Sequence, residues 1–533
     1  MSLFNSKQKV KVKMSYHNLS HTFSGSFSPG NIYPVLCTKV VPGDVFQIAS
    51  NPDLRTMPLI SPFFNNVRCD IRYFYCRNLL LWKNFDEFIT GHDRYNQGTV
   101  ATHVHPFIDL TGGRGTLQDY LTGAIDESTK YEGIDALPFR MYNMIYNEYY
   151  RDENVSAKAT VNLTDGEDYQ SDYYLRQGCY RKDYFTASFP FTQAGSPVVL
   201  PSRLILRNGH ISSQRYVDAN GSPLGSGVAQ NPVRTTFLAG DSDYENAKIS
   251  VADSSISPAI YKNMYLDPGD SMGVNIDVRD FRNANAIQTF LERSAINGNR
   301  YAEYMLTHFG VHTADNSSFR PQYLGGGETL LNVNPVEQNS STSGEDQPLG
   351  TLAGKGRVSG VMGTNKKYFF REYGWIMAIM VIRPDAVYTG GINKQFFADG
   401  DRFDIYYNPA FQNVGMDEIK VREIAYPALN GVSPYFDPKD VFSYQERGFE
   451  YKTIPNTVHG EMAASGSLNY WMAQRNFSGL TSKPQFNHAF VTVNTSCLNG
   501  QAAVDKFPLF VGSIGHHVLA LRPMQYRAKY RLQ

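Results

Sequence analysis

Charge is scarce in this chain. Asp, Glu, Lys and Arg make up only 19% of its 533 residues, little for a monomer that must keep its whole surface wet. Neither sign dominates, because Lys plus Arg and Asp plus Glu number 50 each. A net charge of zero excludes a generic polyanion binder, so any nucleic-acid contact must be local. Cysteine is sparse too: Cys37, Cys69, Cys76, Cys179 and Cys497 are widely spaced and form no CxxC. That pattern predicts free thiols in a reducing compartment and excludes a disulfide framework. No run is long and apolar enough to span a bilayer. The opening MSLFNSKQKVKVKM has basic residues with no apolar run behind them, so it does not read as a signal peptide. The Asn-x-Ser/Thr sequons accordingly carry no weight as glycosylation sites. HExxH, GxSxG, a calcium loop, a phosphate loop and zinc-type cysteine spacing are all missing.

Aromatic residues are abundant instead, with 35 Tyr and 33 Phe. Tyr joins an apolar body to a polar tip and suits surfaces that are buried against partners. The pattern along the chain is one of strands and turns without a βαβ rhythm or an internal repeat. YPVLCTKVVPGDVFQI, from Tyr33, reads as two strands around a Pro42-Gly43-Asp44 turn. NNVRCDIRYFYCRNLLLW, from Asn65, is a further strand run, and WIMAIMVI, from Trp375, is the strongest buried-strand signal. RKDYFTASFPF, from Arg181, also has strand character. A short helix follows Trp82, with Phe85 and Phe88 at three-residue spacing and Gly91 as its stop. Asp135 to Tyr150 reads as a helix capped by Asp135, with Pro138 near its start. Asp280 to Gly310 reads as a helical pair broken at Asn297-Gly298-Asn299. The segments 201–272 and 332–360 are polar, loop-like and rich in turn residues; loops of this kind often carry recognition.

Possible chemistry in these segments has a plainer structural reading. His103 and His105 share a strand face but have no third ligand nearby, so a satisfied structural pair is expected. His516 and His517 point to opposite faces of a strand. Gly112-Gly113-Arg114-Gly115 and Gly325-Gly326-Gly327 read as loop glycines. Glu292, Arg293, Arg300, Glu303 and His308 crowd one helical stretch, yet no nucleophile or metal set accompanies them. Arg300 and Glu303 stand at ordinary salt-bridge spacing. In KQKVKVKM, Lys7, Lys9, Lys11 and Lys13 alternate with mostly apolar residues, which suits either an extended arm lying on protein and facing an anion or, the commoner case for a terminus, a frayed and solvated tail.

HNLSHTFSGSFSPGNIYPVLCTKVVPGDVF resembles the opening of the major capsid proteins of the Microviridae, in the gokushovirus-like branch. Further blocks recur in family order: Arg55-Thr56-Met57-Pro58-Leu59, Leu137-Pro138-Phe139-Arg140, Gln193-Ala194-Gly195, the Leu291 to Val311 stretch, Arg320-Pro321-Gln322-Tyr323-Leu324-Gly325-Gly326, Tyr444-Gln445-Glu446-Arg447 and Arg522-Pro523-Met524. The resemblance implies a mainly β chain: a single eight-stranded antiparallel jelly roll of viral capsid type, with long loop insertions and a few helices. It divides the chain into a basic arm (1–30), a first core part (31–200, with helix 135–150), an inserted threefold protrusion (201–272), a helical pair and connection (273–330), a polar loop (331–366) and a second core part with a basic tail (367–533).

The implied function is a non-enzymatic subunit without a cofactor or metal. It is expected to form homopentamers and a T=1 icosahedral shell around circular single-stranded DNA, assembling in the bacterial cytoplasm and residing in the virion. Implied partners are other copies of itself, the genome, a small basic DNA-binding protein, an internal scaffolding protein, a pilot protein and a host surface receptor, a glycan being one candidate. The DNA-facing residues assigned on charge and stacking are Lys7, Lys9, Lys11, Lys13, Arg522, Tyr526, Arg527, Lys529, Tyr530 and Arg531. Tyr142, Tyr146, Tyr149, Arg300, Tyr301 and Tyr304 are assigned to inter-subunit or helix packing. Asp218, Asn220, Asp241, Asp243 and Tyr244 are assigned to a receptor loop. The alternative reading is a carbohydrate- or receptor-binding jelly roll.

Overall fold

The computed structural model describes residues 13–91, 102–196, 198, 203–206, 210–211, 266–267, 272–275, 278–298, 300–312, 319–337, 352–364, 366–400, 402–412, 415–430, 433–503 and 508–527. They form a mainly β protein with a few helices. The strands that build its two main sheets are labelled β1 (His21–Phe27), β2 (Ile32–Val40), β3 (Val45–Thr56), β4 (Val67–Arg77), β5 (Gln322–Leu330), β6 (Leu352–Ser359), β7 (Gly374–Pro384) and β8 (Phe510–Arg522). One sheet runs β1–β8–β3–β6 and the other β2–β7–β4–β5, with every neighbouring pair antiparallel. Ser15–Asn18 also pairs with β8, and Asn332–Glu337 pairs with the outer edge of β6.

Side-chain period explains how these sheets share a core. β3 alternates strictly, burying Phe46, Ile48, Ser50, Leu54 and Thr56. In β7 every residue from Gly374 to Ile382 is buried, because both of its faces are covered. Ile376, Ala378, Met380 and Ile382 join Phe46, Ile48, Leu54, Ile514 and Val518 in the core between the sheets. Trp375, Met377, Ile379 and Val381 face a second cluster built on helix α2 (Leu137–Ile145), with Phe139, Tyr142 and Ile145. Two-sided burial removes the need for polar alternation, and this is why WIMAIMVI reads as one apolar run.

The helices fall close to their expected places. The short helix α1 (Phe85–Thr90) ends at Gly91, whose φ of +73° is left-handed and suits glycine. Trp82 packs against Phe85 and Phe88 at 6.0 and 4.9 Å between ring centroids. Asp135 accepts a hydrogen bond from Leu137 N at 3.0 Å and so stabilises the start of α2, which continues as a π-turn through Tyr150. The helical pair consists of α3 (Val278–Asn297) and α4 (Tyr301–Phe309), with left-handed glycines at 298 and 310.

Four local expectations need correction. Arg181 to Phe191 is a series of turns, not a strand: Asp183 accepts from the backbone N–H of Phe185 and Thr186, competing with strand pairing. Within 332–360, Asn332–Glu337 and Leu352–Ser359 pair as strands; their polarity belongs to a half-exposed sheet edge. Gly325–Gly327 lie inside β5, not in a loop. A Cβ on Gly326 would stand 2.4 Å from Ile71 O, so glycine lets β5 approach β4 closely. Residues 102–106 form no strand, so His103 and His105 share no strand face.

The chain divides into two compact units, residues 1–194 with 294–533, and residues 195–293. Within the second unit, Arg203–Leu206 pairs with Met272–Asn275 and His210–Ile211 pairs with Leu266–Asp267. A third apolar cluster in the first unit gathers Tyr184, Phe185, Tyr388, Ile419, Val421, Phe442, Phe490 and Val493.

Candidate assembly and genome-facing surfaces

The first and last of the described strands pair with each other. Ser15 stands opposite Arg522 and Asn18 opposite Leu519, so the segment after Lys13 runs antiparallel to the last strand. Lys13 and Arg527 are exposed, and Tyr526 is 72% exposed with its ring 6.1 Å from that of His17. Arg522 is different. Its Nη2 donates to Lys39 O at 2.6 Å and lies 3.4 Å from Asp44 Oδ2, and the guanidinium rests over Phe46. Asp44 is fully buried, and that burial raises its carboxyl pKa against the opposing pull of the Val41 N–H and Arg522. Arg522 is therefore committed chiefly to holding β8 against the turn after β2. Lys7, Lys9, Lys11, Lys529, Tyr530 and Arg531 lie outside the described residues, as do Asp218, Asn220, Asp241, Asp243 and Tyr244.

The packing residues separate into two groups. The three α2-segment tyrosines turn into the chain's own interior. Tyr142 donates to Ile32 O at 2.8 Å and accepts from Arg176 N at 2.9 Å. Tyr146 is buried beneath the Arg176 guanidinium, and Tyr149 donates to Pro321 O while its ring meets Phe74. Arg300 ties α4 to the π-turn: Nη2 donates to Asn147 O and Arg151 O at 3.2 and 3.1 Å, while Nη1 reaches Glu303 at 3.1 Å. Tyr301 and Tyr304 are exposed on α4, alongside Leu306 and Phe309. Among the charges on this stretch, Arg300 and Glu303 thus fix the start of α4 in place. His308 meets Ser294 Oγ at 3.2 Å, and its ring lies tilted against that of Tyr304 with centroids 4.8 Å apart.

Other candidates resolve into structural contacts. His103 bridges two carboxylates from opposite ring nitrogens, Glu87 at 2.8 Å and Asp165 at 2.6 Å. Hydrogen bonds to both raise its pKa and favour the imidazolium. Donors on opposite sides of one ring cannot converge on a single metal ion. His516 and His517 do face opposite ways: His516 is buried and His517 exposed. Ser50 Oγ lies 2.7 Å from His516 Nδ1 and accepts from Tyr73 Oη at 2.6 Å, inside the core. The five cysteines are free thiols, and burial raises the pKa of each, which makes them poor nucleophiles.

Arg140 is a structural residue whose role the sequence does not display. Fully buried, it donates from Nε and Nη2 to the two oxygens of Asp168, each at 2.8 Å, and also to Leu81 O and Thr164 O. Asp168 further accepts from Tyr173 Oη and Asn162 Nδ2. The only sequence signal is an arginine within an apolar helix face, with nothing to indicate a partner 28 residues away.

Comparison with known proteins supplies the family. The model of the family described as capsid protein (F protein) matches residues 6–529. The capsid protein VP1 of Chlamydia phage 1 is 30% identical, covering 98% of this chain and 96% of the relative. The VP1 proteins of Bdellovibrio phage phiMH2K and Spiroplasma virus 4 are each 28% identical, covering 97% and 86% of this chain. A structural rather than enzymatic role, self-assembly and a place in the virion come with that membership. A match along nearly its whole length, on a mainly β framework, therefore places this chain in the phage capsid protein (F protein) family.

Proposed function

We propose that this capsid protein is the repeating subunit of a T=1 icosahedral shell, built from pentamers, that encloses a circular single-stranded DNA genome. In the same proposal the two main sheets are the halves of a single eight-stranded jelly roll. The observation that carries this reading is the pair of strand orders, β1–β8–β3–β6 and β2–β7–β4–β5, around one shared core. Closed symmetry lets every copy reuse the same patches, so modest contacts sum to a stable shell. Tyr301 and Tyr304 are candidate contacts between copies, with Arg300 holding their helix. Electron microscopy of the purified protein or of particles tests the shell directly: closed particles of uniform diameter are expected, and a chain that stays solitary refutes it.

Genome contact is assigned to the basic residues flanking the first and last described strands, Lys13, Tyr526 and Arg527, together with Lys7, Lys9, Lys11, Lys529, Tyr530 and Arg531. Exposed cations and an exposed stacking ring suit a backbone-tracking contact without base readout. Replacing Lys13 and Arg527 by Gln is expected to weaken DNA retention as salt rises. The salt slope should fall by about 0.7 for each single-strand phosphate that is no longer neutralised. An unchanged slope in filter binding would remove the assignment.

The 201–272 insertion is assigned to surface protrusions and host attachment, through Asp218, Asn220, Asp241, Asp243 and Tyr244. Replacing 201–272 by a short linker should leave particle formation intact and abolish adsorption to host cells; loss of particles would refute that division of labour. The small basic DNA-binding protein, the scaffolding protein and the pilot protein complete the set of partners in this proposal.

A further inference from the structure

A second exposed aromatic surface lies far from α4 in sequence. Residues 394–396, 402–411 and 446–454 come together in the first unit. Tyr407 and Tyr451 have ring centroids 6.0 Å apart, and Tyr451 Oη donates to Ile405 O at 3.2 Å. Gln395 Nε2 donates to Glu450 O at 2.7 Å, and Lys394 Nζ lies 3.3 Å from Asp417 and 3.6 Å from Glu450. These ties join three separate segments. Across them, Phe396 is 79% exposed and Tyr406 72%, with Tyr407, Tyr451 and Ile454 exposed as well.

The size of this surface is informative. Side chains of this class offer roughly 200 Å² each, so the five present about 600 Å² of largely apolar area. Taken as one patch, that area would stand at the upper end of what a soluble monomer shows; the Tyr407–Tyr451 ring contact and the Gln395–Glu450 and Tyr451–Ile405 bonds bring its segments together. It approaches the roughly 800 Å² that each partner contributes to a standard protein interface. The margin is electrically balanced within the chain: Arg447 pairs with Asp404 and Asp417 at 3.7 and 3.8 Å, and Lys452 with Glu446 at 2.7 Å. Acidic groups on this rim argue against a phosphate backbone as the occupant, since such sites carry a basic excess. An aromatic centre with a paired polar rim is the composition of a protein–protein contact. Because the segments are already tied together, little ordering remains to oppose binding.

We infer that the Phe396–Tyr406–Tyr407–Tyr451–Ile454 surface is a contact between two copies of this chain, distinct from the one assigned to α4. The inference rests on the shell reading, because repeated copies are the partner that a capsid chain always meets. Tyr406→Ser, alone and with Tyr451→Ser, tests it. Tyr406 is exposed and its side chain makes none of the ties named above, so the purified Tyr406→Ser variant should keep the wild-type circular dichroism spectrum and thermal midpoint, whereas the double variant also loses the Tyr451–Ile405 bond and should melt slightly lower. Particle yield by sedimentation is expected to fall at least tenfold. In wild-type particles, Tyr406 should be nitrated by tetranitromethane at least tenfold more slowly than in subunits released from them.

Wild-type yield from the double variant, or equal nitration in particles and free subunits, would overturn the inference. Cross-links from Lys452 to a different virion protein at a protected patch would overturn it too. Failure of the wild-type chain to form particles at all would instead remove the shell reading, and this inference with it.

Discussion

Arg140→Met is expected to destabilise the folded chain by about 3–5 kcal/mol, because it strands the Asp168 carboxylate in the interior. Two charges at 0% and 1% side-chain exposure are tolerated only while they face each other. The pair is almost saturated: four hydrogen bonds leave Arg140, and Asp168 also takes bonds from Tyr173 and Asn162. Removing the cation leaves Leu81 O and Thr164 O without this donor as well. Asp168→Asn should cost a comparable amount, since the amide keeps one acceptor but strands the Arg140 guanidinium, which cannot shed its proton. Combining Arg140→Met with Asp168→Leu should recover part of the loss, because a buried pair replaced by apolar groups of similar volume is often near neutral. Denaturant midpoints of the three variants check this order. A single variant at Arg140 that unfolds at the wild-type midpoint would show that the pair contributes nothing.

His516 is expected to make the subunit acid-sensitive over a defined window. Burial foremost, with the neighbouring charges of His21 and His517, lowers its pKa from the usual 6.5 to about 4. The imidazole is thus neutral in the fold, next to Ser50 and with the His21 ring centroid 5.1 Å away. In the unfolded chain it takes up a proton near pH 6.5, whereas the folded chain resists until about pH 4. Stability is therefore complete above pH 6.5, falls as pH drops towards 4, and levels off below it. At about 1.36 kcal/mol per pH unit the loss amounts to about 3 kcal/mol. His103 works in the opposite direction. Its raised pKa means that its bridge to Glu87 and Asp165 is strongest in acid and weakens as pH rises through the folded value. The two are separated by His516→Gln, which should flatten the decline in thermal midpoint between pH 6.5 and 4. A variant with the wild-type slope would assign the acid response elsewhere.

Elements with one dominant environment were readable from their residues. β7 is apolar because both faces are covered, and β3 alternates because one face is. The helix stops at Gly91 and Gly310 were readable because a left-handed φ selects glycine. Segments whose stability comes from distant partners were not. β1, HTFSGSF, and β6, LAGKGRVS, have little intrinsic strand preference and are held by pairing with β8 and β3. The Arg181 segment had the aromatic content of a strand, but Asp183 closes it into turns. The same distance hides the surfaces. His17 and Tyr526 become neighbours through strand pairing between distant parts of the sequence, and Tyr407 meets Tyr451 only in the fold. Family resemblance supplied the role because it integrates over the whole length, where no single spacing pattern reaches.

The pairing of the first described strand with the last has a practical outcome for engineering. Ser15 and Arg522 stand opposite each other on adjacent strands, so a chain trimmed to these residues could be closed by a short linker, which opens the way to circularly permuted versions cut in an exposed turn elsewhere.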